Sequence, residues 1–111
     1  MNKVKKGYVR CYWTGKIQLT NGEVNTMHCI QISNTSIEIE TPIGLKGCKK
    51  SLLIIDAINN DQTRQIKVIC TPNSDIFNEH DQHYVSFDFL KMSDESKAFV
   101  DEYIKDMRDS M

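Results

Sequence analysis

The chain has 111 residues, a net charge of −1, and 26% charged against 40% hydrophobic residues. These values predict one globular domain with its own core, and they exclude a disordered chain or a strongly basic protein that binds duplex nucleic acid. No apolar run approaches the roughly 20 residues of a membrane helix, and no signal-peptide stretch follows the N-terminus, so we expect a cytoplasmic protein without membrane insertion.

Positive charge is concentrated at the N-terminus. Residues 1–10 contain four bases, Lys3, Lys5, Lys6 and Arg10, and no acid, which leaves −5 on the rest of the chain. A basic arm on an acidic body indicates an anionic partner for the arm, and a solvated terminus is the alternative. We therefore divide the chain into a basic arm over residues 1–14, leading into the first strand, and a folded domain over residues 15–111.

The chain beyond the arm consists mainly of short strands separated by turn residues. Six segments have the alternating or apolar pattern of β-strands. They are residues 16–19, 24–32, 36–40, 51–58, 63–71 and 84–89. Asn21 and Gly22 between the first two are a strong hairpin signal, whereas residues 72–81 are expected to form a loop. Strands joined by short turns must be antiparallel, and closing them into a barrel removes the exposed edges.

The period of the apolar residues becomes helical from Ser93 onwards. Ser93 suits the N-cap position, and an apolar stripe follows it. The stripe consists of Phe99, Val100, Tyr103, Ile104 and Met107. This pattern predicts a C-terminal helix over residues 93–108 that packs its stripe against the sheet. The predicted fold class is mainly β, a six-stranded antiparallel barrel with one C-terminal α-helix.

No residue pattern for catalysis is present in the sequence. It lacks a G-x-S-x-G elbow, an H-E-x-x-H motif, a P-loop and a dinucleotide fingerprint. We interpret His80 and His83 as part of a solvated polar loop, since a zinc site needs three or four converging ligands. Glu38 and Glu40 share a strand face that we interpret as a wet outer face. The sequence thus favours a binding module over an enzyme, without a cofactor or metal.

The four cysteines give no sign of a disulfide framework or a metal site. Cys11, Cys29, Cys48 and Cys70 are widely spaced, and no CxxC pair occurs. In a chain of this size and expected compartment, this spacing predicts free thiols.

Two segments resemble the ligand-binding motifs of the PilZ family. Lys6-Gly7-Tyr8-Val9-Arg10 stands in the place of an RxxxR segment, with Lys6 for the first arginine. Gln31-Ile32-Ser33-Asn34-Thr35-Ser36 stands in the place of (D/N)xSxxG, with Gln31 for the acid or amide and Ser36 for the glycine. The resemblance extends over nearly the whole chain as a pattern of strands, and it is that of a divergent PilZ domain.

This resemblance implies a bacterial signalling domain that receives the second messenger cyclic di-GMP. It implies that Lys6, Arg10, Gln31, Ser33 and Ser36 bind the ligand. Arginine pairs bidentately with a phosphate or a guanine edge, and a glycine at the last motif position lets the backbone approach the ligand closely.

Two functions follow from the resemblance. In the first, the arm folds over cyclic di-GMP, and its ordering is the signal. In the second, the domain is an adaptor without nucleotide that docks a protein partner, for example in motility or pilus regulation. The second follows from the replaced positions, because lysine lacks the planar fork of arginine. An exposed apolar patch at Trp13, Phe77 or Tyr84 would indicate such a partner, although core packing is the simpler interpretation of Trp13.

Overall fold

The computed structural model describes residues 4–45 and 47–110, so residues 1–3 of the predicted arm, Lys46 and Met111 lie outside the described residues. Seven strands and one helix follow one another along these described residues. They are β1 (Val9–Arg10), β2 (Thr14–Leu19), β3 (Val24–Ile32), β4 (Ser36–Thr41), β5 (Ser51–Asn59), β6 (Gln62–Phe77), β7 (His83–Met92) and α1 (Asp94–Asp109).

Six of these strands close into an antiparallel barrel. The order is β3-β2-β5-β6-β7-β4, and β4 pairs back onto β3. The short β1 pairs with the end of β3 beyond the part that β2 occupies, at Val9↔Ile32 and Arg10↔Gln31. The predicted mainly β fold, a six-stranded antiparallel barrel with one C-terminal helix, is confirmed, and β1 is an additional strand.

Tight turns set the antiparallel pairing. Gly22 has a φ of +91° between β2 and β3, as the hairpin signal at Asn21 and Gly22 predicts. Asn60 and Asp61 have φ values of 51° and 65° between β5 and β6, and both residue types tolerate this left-handed region. These turns are too short for a crossover, so each pair of flanking strands must run antiparallel.

Residues 72–77, expected to form a loop, instead continue β6. The pairing of β6 with β5 ends at Cys70↔Ser51, and beyond that point β6 pairs only with β7. Pro72 therefore stands on a strand with one partner, and a register shift between Pro72 and Ser74 accommodates it. A proline that lacks its N–H is tolerated at an edge or a bulge, and this tolerance explains why it did not end the strand.

Helix α1 covers the barrel end at which the β3–β4 and β5–β6 turns lie. Ser93 is its N-cap, and the Ser93 side chain accepts a hydrogen bond from the Ser96 amide at 3.1 Å. Asn34 Nδ2 donates to Asp101 Oδ1 at 2.7 Å, and Asn59 Nδ2 donates to Asp106 Oδ2 at 3.0 Å. These contacts attach the helix to both turns, so the apolar stripe faces the core.

Trp13 belongs to the core under this helix. Its side chain is 4% exposed, and its ring centroid lies 4.5 Å from that of Tyr103 and 6.4 Å from that of Phe99. The indole Nε1 donates to the Ile58 carbonyl at 3.0 Å, so the polar atom is satisfied as well. Trp13 is therefore a packing residue and offers no surface to a partner.

All four cysteines are free thiols. Cys11, Cys29 and Cys70 are buried, and Cys48 is half-buried. Within the described part of the chain, no helix combines the length and apolarity that crossing a membrane requires.

Candidate functional site

The described part of the basic arm lies against the barrel and the helix. Arg10, from the first motif, is in register with Gln31 of the second motif on β3. The Tyr103 hydroxyl donates to the Arg10 carbonyl at 2.7 Å, and Arg108 Nη2 donates to the Gly7 carbonyl at 2.9 Å. The helix therefore fixes the backbone of the arm next to β3.

A change of register in β3 creates the polar surface beside the arm. The pairing with β4 shifts between Cys29 and Gln31, so Cys29 faces the core opposite Ile39 while Gln31 lies opposite Glu38. Because side chains alternate along a strand, one extra residue turns Gln31 from the inner to the outer face. Gln31 and Glu38 consequently meet on the outside of the barrel.

Glu38 is the centre of a hydrogen-bond network on this outer face. It is only 1% exposed, although it lies between two core residues of β4 and points away from the core. Its Oε1 accepts from Gln31 Nε2 and from the Tyr84 hydroxyl, each at 2.7 Å. Its Oε2 accepts from Ser86 Oγ at 2.6 Å and forms an ion pair with Lys5 Nζ. Neighbouring side chains thus cover this carboxylate and satisfy it.

The network keeps Glu38 ionised. Burial alone would raise the pKa of Glu38, but the hydrogen bonds from Lys5, Ser86, Tyr84 and Gln31 together outweigh it and hold the pKa below its ordinary 4.5. The hydrogen bond to Glu38 raises the pKa of Lys5 above 10.5. Burial and the same carboxylate raise the pKa of the Tyr84 hydroxyl. Near neutral pH the stable state is therefore an ion pair between Lys5 and an ionised Glu38 that also accepts hydrogen bonds from three neutral side chains.

The two serines of the second motif lie at the β3–β4 turn, Ser33 within it and Ser36 at the start of β4. Ser33 Oγ accepts from the Thr35 amide at 3.2 Å and from the Ser36 amide at 3.1 Å, as a turn hydroxyl does. Ser36 Oγ lies 3.0 Å from Ser33 Oγ and is hydrogen-bonded to the Tyr8 hydroxyl of the arm. Where the motif has glycine, this chain thus has a side chain that attaches the arm to the turn.

A groove of about 730 Å³ extends from this network across the outer faces of β4, β7 and β6. Glu38 and Lys5 line one end of it, and Glu40 and Glu79 line it towards the β6–β7 turn. Ile76, which is 62% exposed, contributes an apolar wall. Among the described lining residues, three carboxylates therefore face one ammonium group.

Of the five residues predicted to bind a ligand, one belongs to the described lining of this groove, and the other four lie elsewhere. Gln31 lines it, Lys6 is exposed in the turn before β1, and Arg10 lies on β1 next to Gln31. Ser33 lies in the β3–β4 turn, and Ser36 is the first residue of β4. The structure brings Arg10 and Gln31 together, and it joins the two serines to the arm through Tyr8. Their role in binding a ligand stays a prediction.

The residues that the sequence predicted to bind a ligand include Gln31 but not the other four members of this network, Lys5, Glu38, Tyr84 and Ser86. The interpretation of Glu38 as part of a wet face is wrong, because Lys5, Tyr84, Ser86 and Gln31 cover it. The only sequence signal for Glu38 was a carboxylate between two core isoleucines. Lys5, Tyr84 and Ser86 come from sequence-distant elements, so spacing along the chain could not reveal these partners.

The loop with His80 and His83 forms a different arrangement. His83 Nδ1 lies 2.7 Å from Asp75 Oδ1, and its ring contacts Phe77, whereas His80 is exposed beside Glu79. Within residues 4–45 and 47–110, no three His, Cys, Asp or Glu side chains converge in a way that could hold a metal ion.

Comparison with known proteins gave matches by structure. No protein-family model matches the chain, and no curated protein matches it significantly. The PilZ domain of Escherichia coli YcgR, solved with cyclic di-GMP, has a TM-score of 0.56 and 9% identity over 93% of this chain and 91% of that one. The chain has a PilZ-like fold. The sequence-based recognition of a divergent PilZ domain is thereby confirmed for the fold.

Longer proteins contain a similar PilZ-like unit. The Bacillus subtilis inhibitor of motility, MotI/DgrA, has a TM-score of 0.80 and 13% identity over 97% of this chain. K. pneumonia MrkH in its apo state has a TM-score of 0.61 and 14% identity over 96% of this chain. This chain spans 52% of the length of each of these two proteins. At such identities the likeness concerns the fold alone.

Proposed function

We propose that this PilZ-like domain is a regulatory binding module that docks a protein partner and does not depend on cyclic di-GMP. The observation that carries the proposal is that side chains of the chain itself bind the arm to the barrel, including Ser36 of the second motif. Lys5 is paired with Glu38, and Tyr8 is bonded to Ser36. These contacts attach the described arm to the barrel, and a ligand at Ser36 would have to displace Tyr8.

The charge of the surface supports the same proposal. The groove beside the arm is lined by Glu38, Glu40 and Glu79, with Lys5 as its ammonium group. The phosphodiesters of cyclic di-GMP are anionic, and like charges repel one another most strongly where water is partly excluded. An anionic ligand on this face would meet a negative field.

The chemistry of Glu38 favours binding over catalysis. A general acid or base works best with a pKa near the operating pH. The hydrogen bonds to Glu38 instead hold its pKa below 4.5, and Tyr84 is shifted in the opposite direction, away from neutrality. Both groups are therefore fixed in one protonation state and suited to recognising charge.

A cyclic di-GMP receptor is the second candidate. It is favoured by the register of Arg10 with Gln31, which places a guanidinium on the strand next to the second motif. In this alternative, Lys6, Arg10, Gln31, Ser33 and Ser36 bind the nucleotide, and the ligand displaces Tyr8 from Ser36.

Titration calorimetry with cyclic di-GMP distinguishes the two candidates. For the folded wild-type domain we expect a dissociation constant above about 100 μM. The double variant Lys6→Arg/Ser36→Gly restores two motif positions and is expected to bind more tightly than wild type. The adaptor proposal is overturned if the wild type binds below about 10 μM and Arg10→Ala abolishes the heat.

A further inference from the structure

We infer that the groove across β4, β7 and β6 binds a basic segment of a protein partner, and that Lys5 occupies one position of that segment in the unbound domain. The inference rests on the proposed adaptor function and deepens it, because it names the chemistry of the partner. The partner segment carries several lysines or arginines and an apolar side chain.

The closed end of the groove is a preorganised acceptor for a cation. Glu38 is 1% exposed, and three neutral donors hold it in place, Gln31, Tyr84 and Ser86. These three hydrogen bonds do not involve Lys5, so the carboxylate keeps its position when the ammonium leaves. Charge-assisted hydrogen bonds to a fixed carboxylate are among the stronger polar contacts in proteins.

Lys5 is already the kind of group that this acceptor binds, and it is replaceable. Its ammonium group pairs with Glu38, yet its side chain is 55% exposed. Lys5 contributes this one pair, whereas a segment that also contacts Glu79 and Ile76 would gain from several contacts at once. A cation delivered by a better anchored segment would therefore displace Lys5 at small cost.

The remainder of the groove is also lined by carboxylates. Glu40 accepts from His28 Nε2 at 2.9 Å and from Asn78, and the side chain of Glu79 is 86% exposed. The carboxylates and the ammonium group of the described lining sum to three negative charges against one positive charge. This surplus complements a segment with more than one cation.

An apolar wall runs beside these carboxylates. Ile76 is in register with Tyr84, and both side chains line the groove, with Ile76 62% exposed. The alkyl stems of lysine and arginine pack on such surfaces while their charged ends reach a carboxylate. Phe77 is also exposed, but it lies on the opposite face of β6, so it does not contribute to this groove.

A peptide with the arm's own chemistry is a suitable probe. We would use a fluorescein-labelled Lys-Val-Lys-Lys-Gly-Tyr peptide and, as a control, Glu-Val-Glu-Glu-Gly-Tyr. Fluorescence anisotropy would compare the wild type with Lys5→Ala, which vacates Glu38. A second pair of variants in the Lys5→Ala background is Glu79→Lys, at the groove, and Glu102→Lys, on an exposed site of α1 that does not line it.

The expected affinities follow from the loss of one competing ion pair, that of Lys5 with Glu38. Lys5→Ala should bind the basic peptide at least about threefold more tightly than the wild type. Adding Glu79→Lys should weaken that binding at least about fivefold, and adding Glu102→Lys should change it less than about twofold. The acidic peptide should not bind any of the proteins.

Three results would overturn the inference. The first is equal binding of the basic peptide by all variants, and the second is equal binding of the acidic peptide. The third is dimerisation of Lys5→Ala in sedimentation, which would assign the groove to the arm of a second copy. If one of these results is obtained while cyclic di-GMP gives no heat with the same samples, the adaptor function stands and only the proposed chemistry of the groove is wrong. Tight binding of cyclic di-GMP overturns the adaptor function itself.

Discussion

Replacement of Glu38 by glutamine tests the network most directly, because it keeps the shape and removes the charge. Glutamine has one acceptor oxygen in place of two. In either orientation of the amide, two of the four donors lose their acceptor, either Gln31 and Tyr84 or Ser86 and Lys5. A buried donor without a partner costs about 1–3 kcal/mol.

We expect Glu38→Gln to lower the free energy of unfolding by about 2–4 kcal/mol, since the hydroxyls can rotate to accept from the new amide. For a domain of this size the melting temperature should fall by roughly 10 °C. Urea unfolding and calorimetry at pH 7 measure both quantities. Glu102→Gln, on the exposed side of α1, is the matched control and should stay within about 0.5 kcal/mol of wild type.

A loss below about 1 kcal/mol for Glu38→Gln would refute this reasoning. It would mean that water or relaxed side chains replace the carboxylate, and that Glu38 is not the fixed acceptor on which the groove inference depends.

Three further predictions concern packing, pH and the thiols. Gly15→Ala should lower the free energy of unfolding in urea by about 3 kcal/mol, because the added Cβ would lie 2.3 Å from the Ile54 carbonyl oxygen. Gly22→Ala, with open space around the added Cβ, should lower it by only about 1 kcal/mol. Equal losses for the two variants would contradict the contact at Gly15. Folding lowers the pKa of Glu38, so the contribution of this carboxylate to the free energy of unfolding is complete above its ordinary pKa of 4.5 and disappears as the pH falls through the lowered value. Urea titrations from pH 7 to acid should therefore show the wild type losing more stability than Glu38→Gln. Parallel curves for the two proteins would exclude this linkage. A thiol reagent should modify Cys48 rapidly in the native domain and the three buried thiols only in denaturant, so a rapid phase that persists in Cys48→Ser would disprove the assigned burial.

The sequence predicted the barrel and the helix because their signals are local. The hairpin at Asn21 and Gly22 lies where the residue types indicated, and α1 begins directly after Ser93. Ile37 and Ile39 face the core, as the alternation of β4 required. Each of these features depends on a few consecutive residues, and a single sequence contains that information.

The site was less predictable because a shift of register and distant partners create it. In β3 the buried apolar residues lie first at odd positions, Met27 and Cys29, and then at an even position, Ile32. This break in the alternation was the available sign that Gln31 faces outwards. The contact of Glu38 with Lys5 depends on the position of the arm. That position is set by helix residues at the other end of the chain, so no local pattern could predict it.

The contacts between arm and helix also have a consequence for the order of folding. Tyr103 and Arg10 are 93 residues apart in the chain, and Arg108 and Gly7 are 101 residues apart. Contacts of such high sequence separation form late, after the hairpins that bring their elements together. The arm should therefore dock last and detach first, as a small cooperative unit whose hydrogen exchange is faster than that of the barrel. A partner that draws the arm away would release the last turn of α1 while the barrel stays folded.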